Sequence, residues 1–191
     1  LKLDISLRKH SSRLEYRLKV DWREMGDKEL IPHLRVSFPF EITKPNARYE
    51  IPYGSIIRKM NCGEEIVAQR WADLSEKDGQ GVVIINSSKY GYSLEKETIN
   101  LTLLRSTTTP DPLPDMGEHI IEYALHFHKE GWSVGNSMAV GEEFNIPLVS
   151  LNCGFQKGIL PSFKSLVELE NKNVRLVSLK MSEDSKKIII R

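Results

Sequence analysis

The chain has 191 residues, which is enough for one domain with its own hydrophobic core. Its 27 basic and 26 acidic residues leave a formal net charge of +1, so there is no general attraction to nucleic acid or to acidic membranes. No apolar run approaches the roughly 18–20 residues that a membrane-spanning helix needs.

The first part of the chain alternates apolar and polar residues, which is the period of a half-buried β-strand. This pattern predicts strands over 1–7, 14–22, 33–40, 49–57 and, more briefly, 65–71. Pro39, and then Pro52 with Gly54, interrupt two of these strands, as at a sheet edge or a bulge. The charged segment 23–29 is predicted to be a loop between two strands.

The second part begins with an almost continuous apolar run over 81–85, which is typical of a strand buried on both faces. Helix signals are weak, and only 73–77 is predicted to form a single helical turn. Alternation predicts later strands over 98–104, 120–127, 141–149, 174–181 and 185–191. Short strands separated by turn residues predict an all-β fold, a large antiparallel β-sandwich with few or no helices.

The connection over 106–118 is longer than the usual length of about four to six residues, and it contains three prolines. Long loops on β-scaffolds often carry function, but prolines also stiffen connections that only cover a sheet end. Its acidic residues Asp111, Asp115 and Glu118 could supply the paired carboxylates of glycoside hydrolysis. Acidic loop residues more often cap turns or face solvent, and we favour that interpretation from the residues alone.

His126 and His128 are predicted to lie on the same face of a strand, because side chains alternate. Together with His119 or Glu118 they could supply ligands of a zinc site. No Cys or Asp partner lies at a close spacing, so we favour two solvent-facing or hydrogen-bonded histidines.

The two cysteines, Cys62 and Cys153, are far apart in the sequence and lie in no metal-ligand spacing. Their positions do not require a disulfide, and we expect two free thiols in a reducing compartment. The sequence also contains no Gly-x-Ser-x-Gly nucleophile elbow and no glycine-rich phosphate loop. The chain therefore lacks the two sequence motifs that would indicate a serine-hydrolase site or a nucleotide-binding site.

Five aromatic residues offer flat faces on which a sugar ring could stack, namely Trp22, Trp71, Trp132, Tyr90 and Tyr92. Aromatic side chains in a sandwich more often pack in the core, and we favour that role for the set. Tyr90 and Tyr92 are the stronger candidates for contact with a sugar, because they flank Gly91 near a predicted strand end.

Several sequence blocks occur in an order that is more informative than any one block. The blocks are Arg70-Trp71-Ala72-Asp73-Leu74-Ser75, Asn86-Ser87-Ser88-Lys89-Tyr90-Gly91-Tyr92-Ser93, Leu103-Leu104-Arg105-Ser106, Pro110-Asp111-Pro112 and Gly117-Glu118-His119. Taken together, they resemble the C-terminal β-domain of family-38 glycoside hydrolases, the retaining α-mannosidases. The similarity covers nearly the whole chain and is greatest to the cytosolic and vacuolar branch, which includes many bacterial enzymes.

This resemblance implies a galactose-mutarotase-like sandwich over 1–191, the C-terminal domain of a larger α-mannosidase of which we expect this chain to be a fragment. The parent would be a cytoplasmic, zinc-dependent, retaining exo-α-mannosidase, with its nucleophile and zinc ligands in regions that precede this domain. None of those motifs occurs here, so the resemblance assigns no catalytic residue and no metal ligand to this chain. The expected partners are the N-terminal catalytic domain of the same polypeptide and an α-mannoside, and a homo-oligomer is left open.

Arg105, at the end of a predicted strand, best matches an arginine that the family's C-terminal domain can lend to the surroundings of the active site. A fixed guanidinium suits the binding of sugar hydroxyls or the orientation of a carboxylate. The alternative is a structural arginine that pairs with Asp111 or Asp115. Tyr90 and Lys89 are the other candidate substrate-binding residues.

One position departs from the family pattern. Ser87 stands where members of the family often carry Asp before the Lys-Tyr-Gly-Tyr block. A serine cannot replace that negative charge, so Ser87 does not give Lys89 a charged partner.

Two other functions remain open beside a supporting domain that lines an active site. An independent carbohydrate-binding module would use Tyr90, Tyr92 and Trp71 as its contacts with sugar. A purely structural sandwich would need none of the candidate site residues for activity.

Overall fold

The computed structural model describes residues 1–42, 45–58, 64–76, 79–155, 157–171 and 174–191. These residues form two compact units, Leu1–Pro147 and Leu148–Arg191. The strands of the first unit are β1 (Lys2–Leu7), β2 (Arg13–Trp22), β3 (His33–Pro39), β4 (Asn46–Ile51), β5 (Gly54–Ile57), β6 (Ile66–Val67), β7 (Trp71–Ser75), β8 (Gly81–Asn86), β9 (Gly91–Glu95), β10 (Thr98–Arg105) and β11 (Gly117–His128). A π-helical turn over Val134–Met138 and a short helix, α1 (Ala139–Asn145), follow β11. No helix within these ranges is long and apolar enough to cross a membrane.

The strands of the first unit form antiparallel sheets. Among the described residues, seven strands make the larger sheet in the order β1-β2-β11-β8-β7-β4-β5, and four make the smaller one in the order β3-β10-β9-β6. The long strand β11 lies inside the larger sheet, between β2 and β8. The predicted all-β antiparallel sandwich is therefore confirmed.

The main core is made by apolar side chains that both sheets contribute. Ile84 of β8 and Leu101 of β10 are fully buried in the same cluster. Tyr16 of β2 stacks on Tyr123 of β11, with the two ring centroids 4.9 Å apart. Burying each large apolar side chain contributes about 1.5–3 kcal/mol, so this cluster is the main source of the stability of the sandwich.

The opposite face of the larger sheet is also buried at its centre. Val83 and Ile85 of β8 pack with Trp71 of β7 in a second cluster, and Trp132 and Phe144 cover it. Both faces of β8 therefore require apolar side chains. This double burial explains the continuous apolar run in its sequence, and the prediction of a strand buried on both faces is confirmed.

The strand predicted over 141–149 is wrong, because this segment begins with the last turns of α1. Val140 and Phe144, four residues apart on α1, pack against the second cluster, so the spacing of these apolar residues is helical. Gly141 lets the helix approach the sheet closely, since an added Cβ would lie 2.5 Å from Cδ1 of Trp71.

The structure also differs from the predicted elements at three places between β4 and β9. The helical turn predicted over 73–77 is wrong, because β7 pairs with both β4 and β8. The strand predicted over 49–57 is a hairpin, β4 and β5, whose turn holds Tyr53 at a φ of 61°. Alternation does not reveal β9, in which Tyr92 and Leu94 face the core among polar motif residues.

The second unit contains one antiparallel pair of strands within its described residues, β12 (Leu179–Met181) and β13 (Ile188–Ile190). Both lie inside the segments predicted as strands over 174–181 and 185–191. Cys153 is exposed and free, whereas Cys62 lies outside the described residues. That the whole chain is one domain stays a prediction.

Candidate functional site

The candidate site is centred on Asp115, in the loop before β11, which binds the end of β10. Oδ2 of Asp115 accepts a hydrogen bond from the backbone N–H of Arg105, 2.8 Å away. The Asp115 carbonyl accepts a second hydrogen bond from Nε2 of His119 at 2.7 Å. Lys89 is near enough for the Asp115 charge to act on its pKa. The Asp115 carboxylate thus binds the backbone of Arg105 and acts electrostatically on Lys89.

The guanidinium of Arg105 stays partly exposed and faces a second carboxylate. Its Nη1 lies 3.9 Å from Oε2 of Glu65, and the Arg105 side chain is 45% exposed. Glu65 also lies 3.7 Å from Nη2 of Arg35 and accepts a hydrogen bond from the Thr102 hydroxyl. In the described residues, the ion-pair partner of the Arg105 side chain is therefore Glu65, while Asp115 binds the Arg105 backbone.

His33 is packed beside these arginines. Burial lowers the pKa of His33, and the positive charges of Arg105 and Arg35 lower it further, although Glu65 acts in the opposite direction. Nη2 of Arg35 lies 3.2 Å from Nδ1 of His33, and an unprotonated Nδ1 can accept this hydrogen bond. Sequence reasoning missed Glu65, Arg35 and His33, because they lie outside the motif blocks and become neighbours only through strand pairing.

Lys89 is half-buried in the turn that follows β8. Its backbone N–H donates a hydrogen bond to Oδ1 of Asn86 at 2.6 Å, which fixes the turn. Burial lowers the pKa of the Lys89 ammonium, and the Asp115 carboxylate opposes this effect. The negative charge that acts on Lys89 therefore comes from the distant 106–118 loop and not from position 87.

The aromatic candidates separate into exposed and buried residues. Tyr90, next to Lys89 in the chain, is 56% exposed. Trp71 and Tyr92 are both 0% exposed, so their suggested role in stacking on a sugar is wrong and the favoured core role is confirmed. Trp22 is partly buried, and its Nε1–H donates to the Ser106 hydroxyl at 2.9 Å, at the start of the loop.

The model of the glycosyl hydrolases family 38 C-terminal domain matches residues 1–113, more than half of the chain. The chain belongs to this family. The match includes β1 to β10, and with them Arg105, Lys89 and Tyr90. Asp115 lies just beyond the matched residues of this family 38 domain, so its place in the site comes from the structure.

Curated relatives and a solved structure agree with the family match. Alpha-mannosidase 2C1 of Mus musculus is 34% identical over 145 residues, 72% of this chain and 13% of the relative. Alpha-mannosidase G of Dictyostelium discoideum is 36% identical over 150 residues, 70% of this chain and 13% of the relative. An alpha-mannosidase structure from Enterococcus faecalis V583 has the same fold, with a TM-score of 0.82 at 18% identity over 98% of this chain and 22% of that one. The family 38 domain is thus a small part of these longer proteins.

Asn86, a motif residue of the family 38 domain, builds the scaffold that carries the site. Its Nδ2 donates to the Tyr92 hydroxyl at 2.5 Å and to the Gln69 carbonyl at 3.2 Å. Its Oδ1 accepts from the Lys89 backbone, so both donors and the acceptor of this buried amide are used. The network joins β8 to β9 and sets the position of the Lys89 turn.

The histidine pair of β11 is engaged in hydrogen bonds and an ion pair. Nε2 of His128 lies 3.2 Å from Oδ2 of Asp73, and its Nδ1 bonds to the Glu130 carbonyl. Nδ1 of His126 lies 3.3 Å from the Ser12 hydroxyl. Across the part of the chain that the structure describes, no group of three or more His, Cys, Asp or Glu side chains is placed to hold a metal ion. These donors do not fit the zinc that the family implies.

The acidic residues of the loop before β11 bind backbone groups. Oδ1 of Asp111 accepts a hydrogen bond from the Leu113 N–H at 2.9 Å, and Asp115 accepts one from Arg105. Glu118 is exposed on β11. The favoured interpretation of a turn-capping acid is therefore confirmed for Asp111, whereas Asp115 binds the backbone at the end of β10.

A cavity of about 430 Å³ opens in the first unit, with Phe40, Ile42, Val82 and Phe127 among its lining residues. Arg105, Lys89 and Tyr90 do not contribute to this lining. The cavity and the candidate site are therefore separate features of the first unit.

Proposed function

We propose that this family 38 domain is the non-catalytic C-terminal domain of a cytoplasmic, retaining exo-α-mannosidase, where it lines one wall of the active site. The family match and the names of the curated relatives support this proposal. The observation that carries the role of the site is the partial exposure of the Arg105 guanidinium, whose backbone N–H is bound by Asp115. Tyr90 is exposed as well.

In this role, the three side chains bind and orient a terminal α-mannoside. The Arg105 guanidinium is a planar set of donors that suits sugar hydroxyls, and Lys89 adds a second cationic donor. Tyr90 offers an aromatic face and a hydroxyl. We assign the nucleophile, the acid/base and the zinc to the catalytic domain of the parent, so no bond-breaking step involves this chain.

Docking on the catalytic domain is supported by apolar side chains that β1 leaves exposed. Leu3, Ile5 and Leu7 lie opposite Leu18, Tyr16 and Leu14 of β2 in the antiparallel register. Because register partners share a sheet face, these three extend the apolar face of β2 to the sheet edge. An exposed apolar row of this kind is typical of a surface that another domain covers.

The first test assays the isolated chain with an aryl α-mannoside and added zinc or cobalt. We expect no turnover, because the chemistry is assigned to the catalytic domain. Robust turnover that follows the chain through purification would show that the catalytic groups are in this chain, and would overturn the proposal.

The second test measures the full-length enzyme with Arg105→Ala. We expect kcat/KM to fall about tenfold to a hundredfold, as for the loss of hydrogen bonds from a charged donor. Arg17→Ala is the matched control, because Arg17 is an exposed arginine on β2 that pairs with Glu122. Equal wild-type activity of both variants would favour a purely structural sandwich.

An independent carbohydrate-binding module is the second candidate function, and the exposure of Tyr90 favours it. A titration of the isolated chain with mannose and mannobiose separates the two functions. Millimolar or tighter binding that is lost in Tyr90→Ala would support the module. Absence of binding would leave the active-site wall as the better explanation.

A further inference from the structure

We propose that Glu65 is a positioning residue that holds the Arg105 guanidinium in place for the wall of the active site. This role rests on the proposed function, because that function assigns the binding of sugar hydroxyls to Arg105. Glu65 lies one residue before β6, outside the motif blocks and on a different segment of the chain from Arg105.

A shift of register in β10 places Arg105 on the outer face of the smaller sheet. Thr102 lies opposite Arg35 of β3. Arg105 lies opposite His33, two residues from Arg35, and β10 has one extra residue between the two pairs. Residues two apart on a strand share a face, and register partners share it with them, so Thr102 and Arg105 face the same side. Strict alternation would instead turn Arg105 to the side of Leu103, which is buried in the core.

The Glu65 side chain reaches across this outer face. In the smaller sheet, β9 lies between β6 and β10. Glu65 stands beside β6, and its Oε1 accepts a hydrogen bond from the Thr102 hydroxyl of β10. At Gly91 of β9, an added Cβ would lie 3.2 Å from Oε1 of Glu65 and 3.3 Å from Cβ of Thr102. The missing side chain of Gly91 therefore leaves the room in which the Glu65 carboxylate lies.

The Glu65 carboxylate contacts two arginines as well as Thr102. Its Oε2 lies 3.9 Å from Nη1 of Arg105, and its Oε1 lies 3.7 Å from Nη2 of Arg35. One exposed ion pair orders a side chain weakly, but several contacts on one carboxylate form a network. The Glu65 side chain is 26% exposed and that of Arg105 is 45% exposed, so the carboxylate is the more deeply held partner. A guanidinium has several N–H donors, and those that do not face Glu65 can bind a sugar hydroxyl.

The test compares single and double variants of the full-length enzyme. Glu65→Gln keeps an oxygen that can accept the Thr102 hydroxyl, but it removes the charge that pairs with Arg105. We expect kcat/KM to fall about threefold to tenfold, a coupling typical of charged groups in contact. The loss should appear in the same parameter, KM or kcat, as in Arg105→Ala. In an Arg105→Ala background, Glu65→Gln should have almost no further effect, because the group that Glu65 positions is gone.

Gly91→Val disturbs the same contact without changing any charge. The valine side chain would fill the space beside Oε1 of Glu65 and displace the carboxylate. We expect a fall in kcat/KM that is again absent in the Arg105→Ala background. Glu95→Gln is the matched control, because Glu95 is an exposed acid at the end of β9 in the same sheet. It should leave both kcat and KM as in the wild type.

The outcomes separate the role of Glu65 from the proposed function. If Arg105→Ala leaves kcat/KM unchanged, the active-site wall fails and the positioning role fails with it. If Arg105→Ala is impaired while Glu65→Gln has wild-type kcat and KM, the wall stands and the role of Glu65 is overturned. An equal loss from Glu65→Gln with and without Arg105 would also overturn it, because the carboxylate would then act through another group. Should Gly91→Val fail to fold, Glu65→Gln and its double variant decide the question alone.

Discussion

The Glu50 carboxylate in β4 is held by three donors of Arg70. Nη2 and Nε of Arg70 lie 2.5 and 3.1 Å from Oε1, and the Arg70 backbone N–H donates to Oε2 at 2.6 Å. The Glu50 side chain is 2% exposed and that of Arg70 is 32% exposed. The hydrogen bonds that the Arg70 guanidinium donates to Glu50 raise the pKa of this guanidinium. The first motif block thus begins with a structural ion pair.

Breaking this pair from the arginine side should be costly. Arg70→Met leaves the buried Glu50 carboxylate without its partner, so we expect the free energy of unfolding to fall by about 3–5 kcal/mol. Urea denaturation followed by tryptophan fluorescence measures this loss. Adding Glu50→Gln should restore part of it, because the double variant no longer buries a charge.

The control for this prediction is Lys2→Met, which breaks the exposed Lys2–Asp4 pair of β1. Exposed pairs contribute about 0–1 kcal/mol, so this variant should remain close to the wild type. Equal effects of Arg70→Met and Lys2→Met would contradict the structural role of the Glu50–Arg70 pair.

We expect Asn86 to contribute to the stability of the fold through its buried hydrogen bonds. Asn86→Ala leaves the Tyr92 hydroxyl without its amide partner in the core and removes the acceptor of the Lys89 N–H. We expect the free energy of unfolding to fall by about 1–3 kcal/mol, the cost of leaving a buried polar group unpaired. Ser87→Ala, one residue later and exposed, should change it by less than about 0.5 kcal/mol. Thermal unfolding followed by circular dichroism compares the two variants, and similar melting temperatures would count against the network.

The His128–Asp73 pair should make stability depend on pH above the ordinary histidine pKa. Burial of His128 lowers its pKa, but Asp73, 3.2 Å from Nε2, and the Glu130 carbonyl outweigh burial, and the net shift raises it above 6.5. The folded state therefore binds this proton more tightly than the unfolded state. The resulting stability is complete below pH 6.5 and is lost as the pH rises through the folded-state pKa.

The measurement is the free energy of unfolding at pH values from 5.5 upward. For the wild type, this pair should give a decrease of at most about 1.4 kcal/mol per pH unit above the ordinary value. His128→Gln should remove that decrease. Burial lowers the pKa of His126, so His126→Gln is a control that should alter the profile only at lower pH. A decrease that persists in His128→Gln would assign it to another group.

Strands could be predicted where one periodicity decides the structure. β2 alternates because one face is in the core, and β8 is apolar throughout because both of its faces are covered. α1 could not be predicted from alternation, because its apolar residues pack against a sheet surface that forms only when the chain folds. β9 was hidden because Tyr92 and Ser93 read as part of a polar motif, although both are buried.

The candidate site could be predicted only in part for a similar reason. Arg105 and Lys89 stand in recognisable blocks, and the structure binds the Arg105 backbone to Asp115, whose charge also acts on Lys89. The ion-pair partner of the Arg105 guanidinium is Glu65, which lies one residue before β6 and has no local sequence signal of this role. Motif membership also did not separate buried from exposed residues. Trp71 is buried, whereas Tyr90, from a neighbouring block, faces solvent.

Gly141 gives a direct test of how α1 packs on the larger sheet. In Gly141→Ala, the new Cβ would lie 2.5 Å from Cδ1 and 3.2 Å from Cγ of Trp71, whose side chain is fully buried. Alanine favours a helix by about 1 kcal/mol over glycine, but overpacking of a core costs about 1–3 kcal/mol. We expect a net decrease in the free energy of unfolding of about 0–2 kcal/mol, together with a change in tryptophan emission. Glu143→Ala, exposed on the same helix, should stay within about 0.5 kcal/mol of the wild type. If Gly141→Ala were more stable than the wild type with unchanged emission, the helix would not pack against Trp71 as described.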